Sequence, residues 1–176
     1  MFKFSESTKR KLGNAIVYIA YHTSGLCRNK LLKLLYLMEE HMALKYHVPF
    51  IGMPYEVWQA GPVAKDVFID LSDVPYILKG FVRTEFRDGG IFIEAIADFD
   101  DSEFSKCEIE IMDYVLVRYG AAVRTGLLET FNRQECNNSD LQINFAEVMS
   151  DSSAEVYCES LNIRQTANLL NVEFYV

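Results

Sequence analysis

The chain has 176 residues, with 17 basic and 25 acidic side chains and three histidines. With 50% apolar and 13% aromatic residues it fits one compact domain, which excludes a large multi-domain machine and long disorder. The net charge of −8 repels nucleic-acid phosphates and favours basic partners.

The four cysteines, Cys27, Cys107, Cys136 and Cys158, are far apart and form no CxxC pair. Together with a polar Met1–Lys11 start, which predicts no signal peptide, they point to a reducing cytoplasm. No run of about 18 apolar residues predicts a membrane span.

In chain order, residues 7–21 place Leu12, Ala15, Ile16, Ile19 and Ala20 at helical spacing, with Ser5, Ser7 or Thr8 as N-cap. Asn29 is the expected cap of a second helix, in which Leu31, Leu34, Leu35, Met38 and Met42 recur at three and four residues. Leu32, Leu37 and Leu44 widen that stripe, so this helix belongs at the centre of a bundle. Pro49 and Pro54 bracket a looped or extended segment, and Gly61-Pro62 predicts the start of a third helix running to about Asp73.

Between Lys79 and Phe99 the period changes to strand, Asp88-Gly89-Gly90 turn, strand. Ser105 and Glu108 then form a capping-box pair for a helix ended by Gly120. Leu127, Leu128 and Phe131 suggest another short helix, followed by a polar loop from Arg133 to Asp140. Residues 142–149 fit strand or helix, Ser152 with Glu155 fits a helix cap, and Val172–Val176 reads as a terminal strand. The expected class is α+β: a predominantly helical bundle with a central apolar helix and a small antiparallel hairpin, read as a single domain over 1–176.

Candidates for chemistry are few. His41 and His47 stand six apart, on opposite sides of a helix, and Glu39-Glu40 does not make a zinc-binding HExxH. Cys27 has no activating neighbour in the sequence and reads as an ordinary buried thiol. No phosphate-cradling glycine loop or nucleophile elbow occurs. The sequence therefore gives no catalytic residue, metal site or cofactor, and an enzyme survives only as a dispersed site around His22, His41 and Glu40. Lys9, Arg10, Lys11, Arg28, Lys30 and Lys33 crowd the start of the chain. They read as a solvated helix face, or alternatively as the footprint of a DNA-binding regulator.

The most distinctive stretch runs Lys30-Leu31-Leu32-Lys33-Leu34-Leu35-Tyr36-Leu37-Met38, continues through His41 to Tyr46, and then reads Tyr55-Glu56-Val57-Trp58-Gln59-Ala60-Gly61-Pro62-Val63-Ala64-Lys65-Asp66-Val67-Phe68. Its order and spacing resemble the Panacea domain of SocA-like antitoxins and phage-associated GepA-like proteins, in which a K-L-x-K-L-L-Y helix precedes an aromatic residue and a G-P-V-x-x-x-V-[YF] segment. The resemblance extends over about residues 8–132. The family's Thr-His and following Pro-Trp are replaced here by Thr130-Phe131 and Asn132-Arg133-Gln134-Glu135-Cys136, so the chain diverges from about 132.

This resemblance implies a non-enzymatic, protein-binding antitoxin that neutralises a cognate protein toxin. SocA-like members are also associated with delivering the toxin to a protease. The acidic balance suits capture of a basic partner. Tyr55, Trp58, Lys65 and Asp66 are the expected partner-binding residues, with Trp58 and Tyr55 also readable as core.

Overall fold

The computed structural model describes residues 4–58 and 61–121 and the backbone of 142–144. The expected helix at Leu127–Phe131, the loop after it, the helix and strand beyond residue 150, and Cys136 and Cys158 lie outside the described residues.

Helix α1 spans Glu6–His22, with Ser5 as its N-cap: the Ser5 hydroxyl accepts from the Thr8 amide at 3.0 Å. Its inner face buries Leu12, Ala15, Ile16 and Ile19. Helix α2, Arg28–Tyr46, is the axis of the fold, because every residue from Leu31 to Ala43 is buried. Full burial of one leucine contributes about 2 kcal/mol, so the leucines of this single helix supply much of the hydrophobic drive. Its cap differs from the expected Asn29: Cys27 is the N-cap residue, and Asn29 already lies in the first turn. His47 ends α2 in the left-handed region at φ 55°, its amide donating to the Ala43 carbonyl.

Strand β1, Pro54–Trp58, pairs antiparallel with β2, Gly61–Val63, and with β5, Gln142–Asn144. The expected helix start at Gly61-Pro62 is thus corrected. Gly61 has φ 92°, outside the helical range, and Pro62 lies opposite Val57 in β2. Since β2 is the edge of the order β2-β1-β5, the missing proline N–H costs no ladder bond on that side. Helix α3 follows at Lys65–Asp70.

The hairpin is as expected: β3, Val82–Arg87, pairs with β4, Gly90–Ala95, through a two-residue Asp88-Gly89 turn. Both turn residues have positive φ, 50° and 72°, the geometry that matches the twist of the flanking strands. The outer side of β4 is met by Leu26, whose carbonyl accepts from the Ile93 amide. Helix α4, Lys106–Tyr119, opens on the expected Ser105/Glu108 capping box and buries Ile111, Met112, Val115, Leu116 and Tyr119. Gly120 ends it, but at φ −63° rather than in the left-handed conformation. The architecture is α+β, with α3, α4, β2 and β4 packed on α2 and α1 packed on the hairpin and α4 around one shared core.

Candidate functional site: an acidic and apolar cleft at helix 3

Strand alternation decides the fate of the aromatic segment. Along β1 the side chains of Tyr55 and Val57 point into the core, whereas Glu56 and Trp58 share the other face. Tyr55 is wholly buried, its ring edge-on to Tyr36 with centroids 5.4 Å apart. Of the four expected partner-binding residues it is therefore the one inside the protein. Trp58 is half-buried; its Nε1 donates to Glu56 Oε2 at 3.0 Å, and its ring meets Phe68 edge-on. The other Glu56 oxygen accepts from Lys65 Nζ at 3.0 Å. These two partners, Trp58 first and then Lys65, hold the Glu56 carboxyl below its usual pKa.

Helix α3 is too short to bury more than one side. Val67 turns inward, while Ile69 is 57% exposed. Asp70, at its last turn, organises the loop leading to β3: Oδ1 accepts from the Tyr76 and Ile77 amides and Oδ2 from the Leu78 amide, at 2.8–3.1 Å. The Thr84 hydroxyl donates to the Asp73 carbonyl and ties the same loop to β3. The loop is thereby held with Val74 and Tyr76 projecting, 82% and 83% exposed.

Between α3, β1 and this loop lies a cleft of about 560 Å³. Its charged lining is Glu56, Lys65, Asp66, Asp70 and Asp73; its apolar lining includes Ile69, Val74 and Tyr76. Lys65 and Asp66 are thus brought together in one cleft, and Trp58 abuts it through Glu56. Sequence reasoning missed Asp70, Val74 and Tyr76. The sequence offers only Asp73 beside Val74-Pro75-Tyr76, and the fold shows that Val74 and Tyr76 are left outside the core.

The basic residues near the start of the chain find partners within the protein. Lys9 bonds Glu6, Arg10 pairs with Glu103, and Lys11 with Glu108. Arg28 lies over the Phe68 ring and donates to the Ser72 hydroxyl. Lys30 donates to the Gly120 carbonyl and Lys33 to that of Pro62.

His22, His41 and Glu40 have separate surroundings. His22 bonds the Tyr18 carbonyl, the His41 ring packs on Tyr114, and Glu40 accepts from the Tyr36 hydroxyl. Among the described residues no group of three or more His, Cys, Asp or Glu is placed to hold a metal ion. Cys27 is a free, buried thiol. No described helix is long and apolar enough to cross a membrane.

Comparison with known proteins returned no match among curated proteins and none among solved structures. A family model described as "Antitoxin SocA-like, Panacea domain" matches residues 31–136. The matched span begins inside α2, takes in β1, β2, α3 and the hairpin, and continues through α4, so it contains the whole cleft. The chain belongs to the SocA-like Panacea domain family of antitoxins.

Proposed function

We propose that this protein is the antitoxin of a toxin–antitoxin pair and acts by binding a cognate protein toxin. The observation that carries this reading is the family match over residues 31–136. The cleft supports it: exposed apolar side chains beside carboxylates suit a protein surface of opposite charge. Binding would mask the toxin's working surface, with Trp58, Lys65 and Asp66 at or beside the contact and Tyr55 supporting it from the core. Handover of the bound toxin to a protease is a further step of the same proposal. The internal pairing of the basic residues favours this protein-binding role over a DNA-binding regulator, whose contacts require cations free to meet phosphates. The separate surroundings of His22, His41 and Glu40 favour it over catalysis at a dispersed site.

The test is a rescue experiment. The neighbouring reading frame is expressed in a bacterial host with and without this chain, and the two proteins are then co-purified. Growth arrest relieved by this protein, with a stable complex, is the expected result. A harmless neighbour with no complex would overturn the reading.

A further inference from the structure

The cleft at α3 is chemically one-sided. Four carboxylates, Glu56, Asp66, Asp70 and Asp73, face one amine, Lys65, and that amine is already bonded to Glu56. Asp70 spends its hydrogen bonds on three backbone amides while lining the cleft. Asp73 stands at the rim, exposed, and its carboxylate has no partner among the described residues.

Beside these acids, Ile69, Val74 and Tyr76 expose most of their apolar surface, which water alone does not favour. A volume of about 560 Å³ lies within the range of sites that seat a few side chains. The rim is also braced by the Asp70 bonds and by the Thr84 bond to the Asp73 carbonyl, so little ordering cost remains for a binder.

From this we infer that the cleft is the docking groove for a short segment of the partner protein in which arginine or lysine alternates with bulky apolar residues. The apolar side chains would cover Val74, Tyr76 and Ile69, and the cation would sit among Asp66, Asp70 and Asp73. A second copy of this chain fits poorly, because its own net charge is −8 and its N-terminal cations are already engaged. Nucleic acid is opposed by the same carboxylates. The inference rests on the antitoxin reading for the identity of the partner, but the groove's chemical preference is measurable without it.

Trp58, the chain's single tryptophan, is bonded to cleft-lining Glu56 and serves as the reporter. The full chain is titrated with a synthetic peptide of alternating Leu and Arg and, separately, with one of alternating Leu and Glu, following Trp58 emission at low and at physiological salt. The Leu/Arg peptide is expected to shift the emission, more weakly as salt rises, and the Leu/Glu peptide to leave it unchanged. Asp73→Lys and the double variant Val74→Arg/Tyr76→Ser should each weaken the response at least tenfold. Phe86→Ser, which alters an equally exposed apolar residue on the hairpin, should not.

No response, an equal response to both peptides, or full binding by both cleft variants would overturn the inference. The two proposals fail separately. A toxin neutralised equally well by wild type and by the cleft variants removes the groove and leaves the antitoxin reading; peptide selectivity in the cleft without any rescue by wild type does the reverse.

Discussion

Lys33 Nζ donates to the Pro62 carbonyl at 3.0 Å, joining the second turn of the central helix to the edge strand that precedes α3. The lysine is buried, and burial pulls its pKa down to about 7. Its folded pKa thus lies below the unfolded value of 10.5, so between these limits the unfolded chain binds more protons and stability rises with pH. Denaturant unfolding should show wild type gaining about 2 kcal/mol between pH 7 and 9 relative to Lys33→Met. Parallel pH profiles for the two proteins would contradict this.

Glu39 has a different task. Its carboxylate is wholly buried and accepts from the amides of Phe50, Ile51 and Gly52 at 2.8–3.0 Å, which folds the chain back after α2. Glu39→Ala leaves three donors without a partner and should cost about 3 kcal/mol, read as a lowered urea midpoint. Glu39→Gln, which keeps one acceptor oxygen, should lose less.

Glu40 and His41 are consecutive on α2 and titrate with opposite effects on stability. Burial pushes Glu40 up to about 7 against the Tyr36 hydroxyl, so its contribution is full below the ordinary 4.5 and is lost as pH rises through 7. Burial first, and the Arg118 charge second, pull His41 down to about 4, so stability falls as pH drops from 6.5 through that value. Relative to wild type, Glu40→Gln should gain stability between pH 5 and 8, and His41→Gln should gain it between pH 6.5 and 4. Thermal melts across that range check both signs.

Close approach limits Gly13. A Cβ there would lie 2.4 Å from the Phe81 ring, although the glycine sits in the interior of α1 where alanine is intrinsically the better residue. Gly13→Ala should therefore destabilise by about 2 kcal/mol despite a helix-propensity gain of about 1 kcal/mol. Combining it with Phe81→Leu should restore part of the loss; simple additivity of the two changes in a double-mutant cycle would show that the ring is not the cause.

Core and surface roles separate cleanly in the aromatic segment. Tyr55→Ala should cost about 4 kcal/mol through the cavity it leaves beside Tyr36. Lys65→Ala breaks an ion pair at the surface and should change the melting temperature little, since such pairs contribute about 0–1 kcal/mol. A tighter toxin complex with Lys65→Ala at unchanged stability, because the cleft loses its one amine and Glu56 is freed, would report directly on the cleft.

Local chemistry made much of this fold readable. The Asp88-Gly89 turn, the Ser105/Glu108 box and the leucine-rich stripe of α2 each need only neighbouring residues to form, and each is where the sequence places it. Gly61-Pro62 was misleading because the pattern that suits a helix start also suits an edge strand. Antiparallel pairing of β2 with β1, which sets Gly61 opposite Trp58 with Gly61 at φ 92°, decides between them. Asn29 lost the cap to Cys27 because the Leu26–Cys27 backbone is held extended against β4. In the candidate site, Lys65 and Asp66 were expected as partner-binding residues, although they occupy the variable positions of the G-P-V-x-x-x-V segment. The exposure of Val74 and Tyr76 was not, since it depends on Asp70 gathering three amides from a loop that carries no periodic signal.

The signature helix is used inward. Lys30 caps the end of α4, Lys33 anchors β2, and the leucines between them fill the core. In this chain the letters of that helix therefore describe a chassis. If the cleft is the docking groove proposed above, a change from acid to base at exposed Asp73 would redirect the protein while leaving that chassis intact.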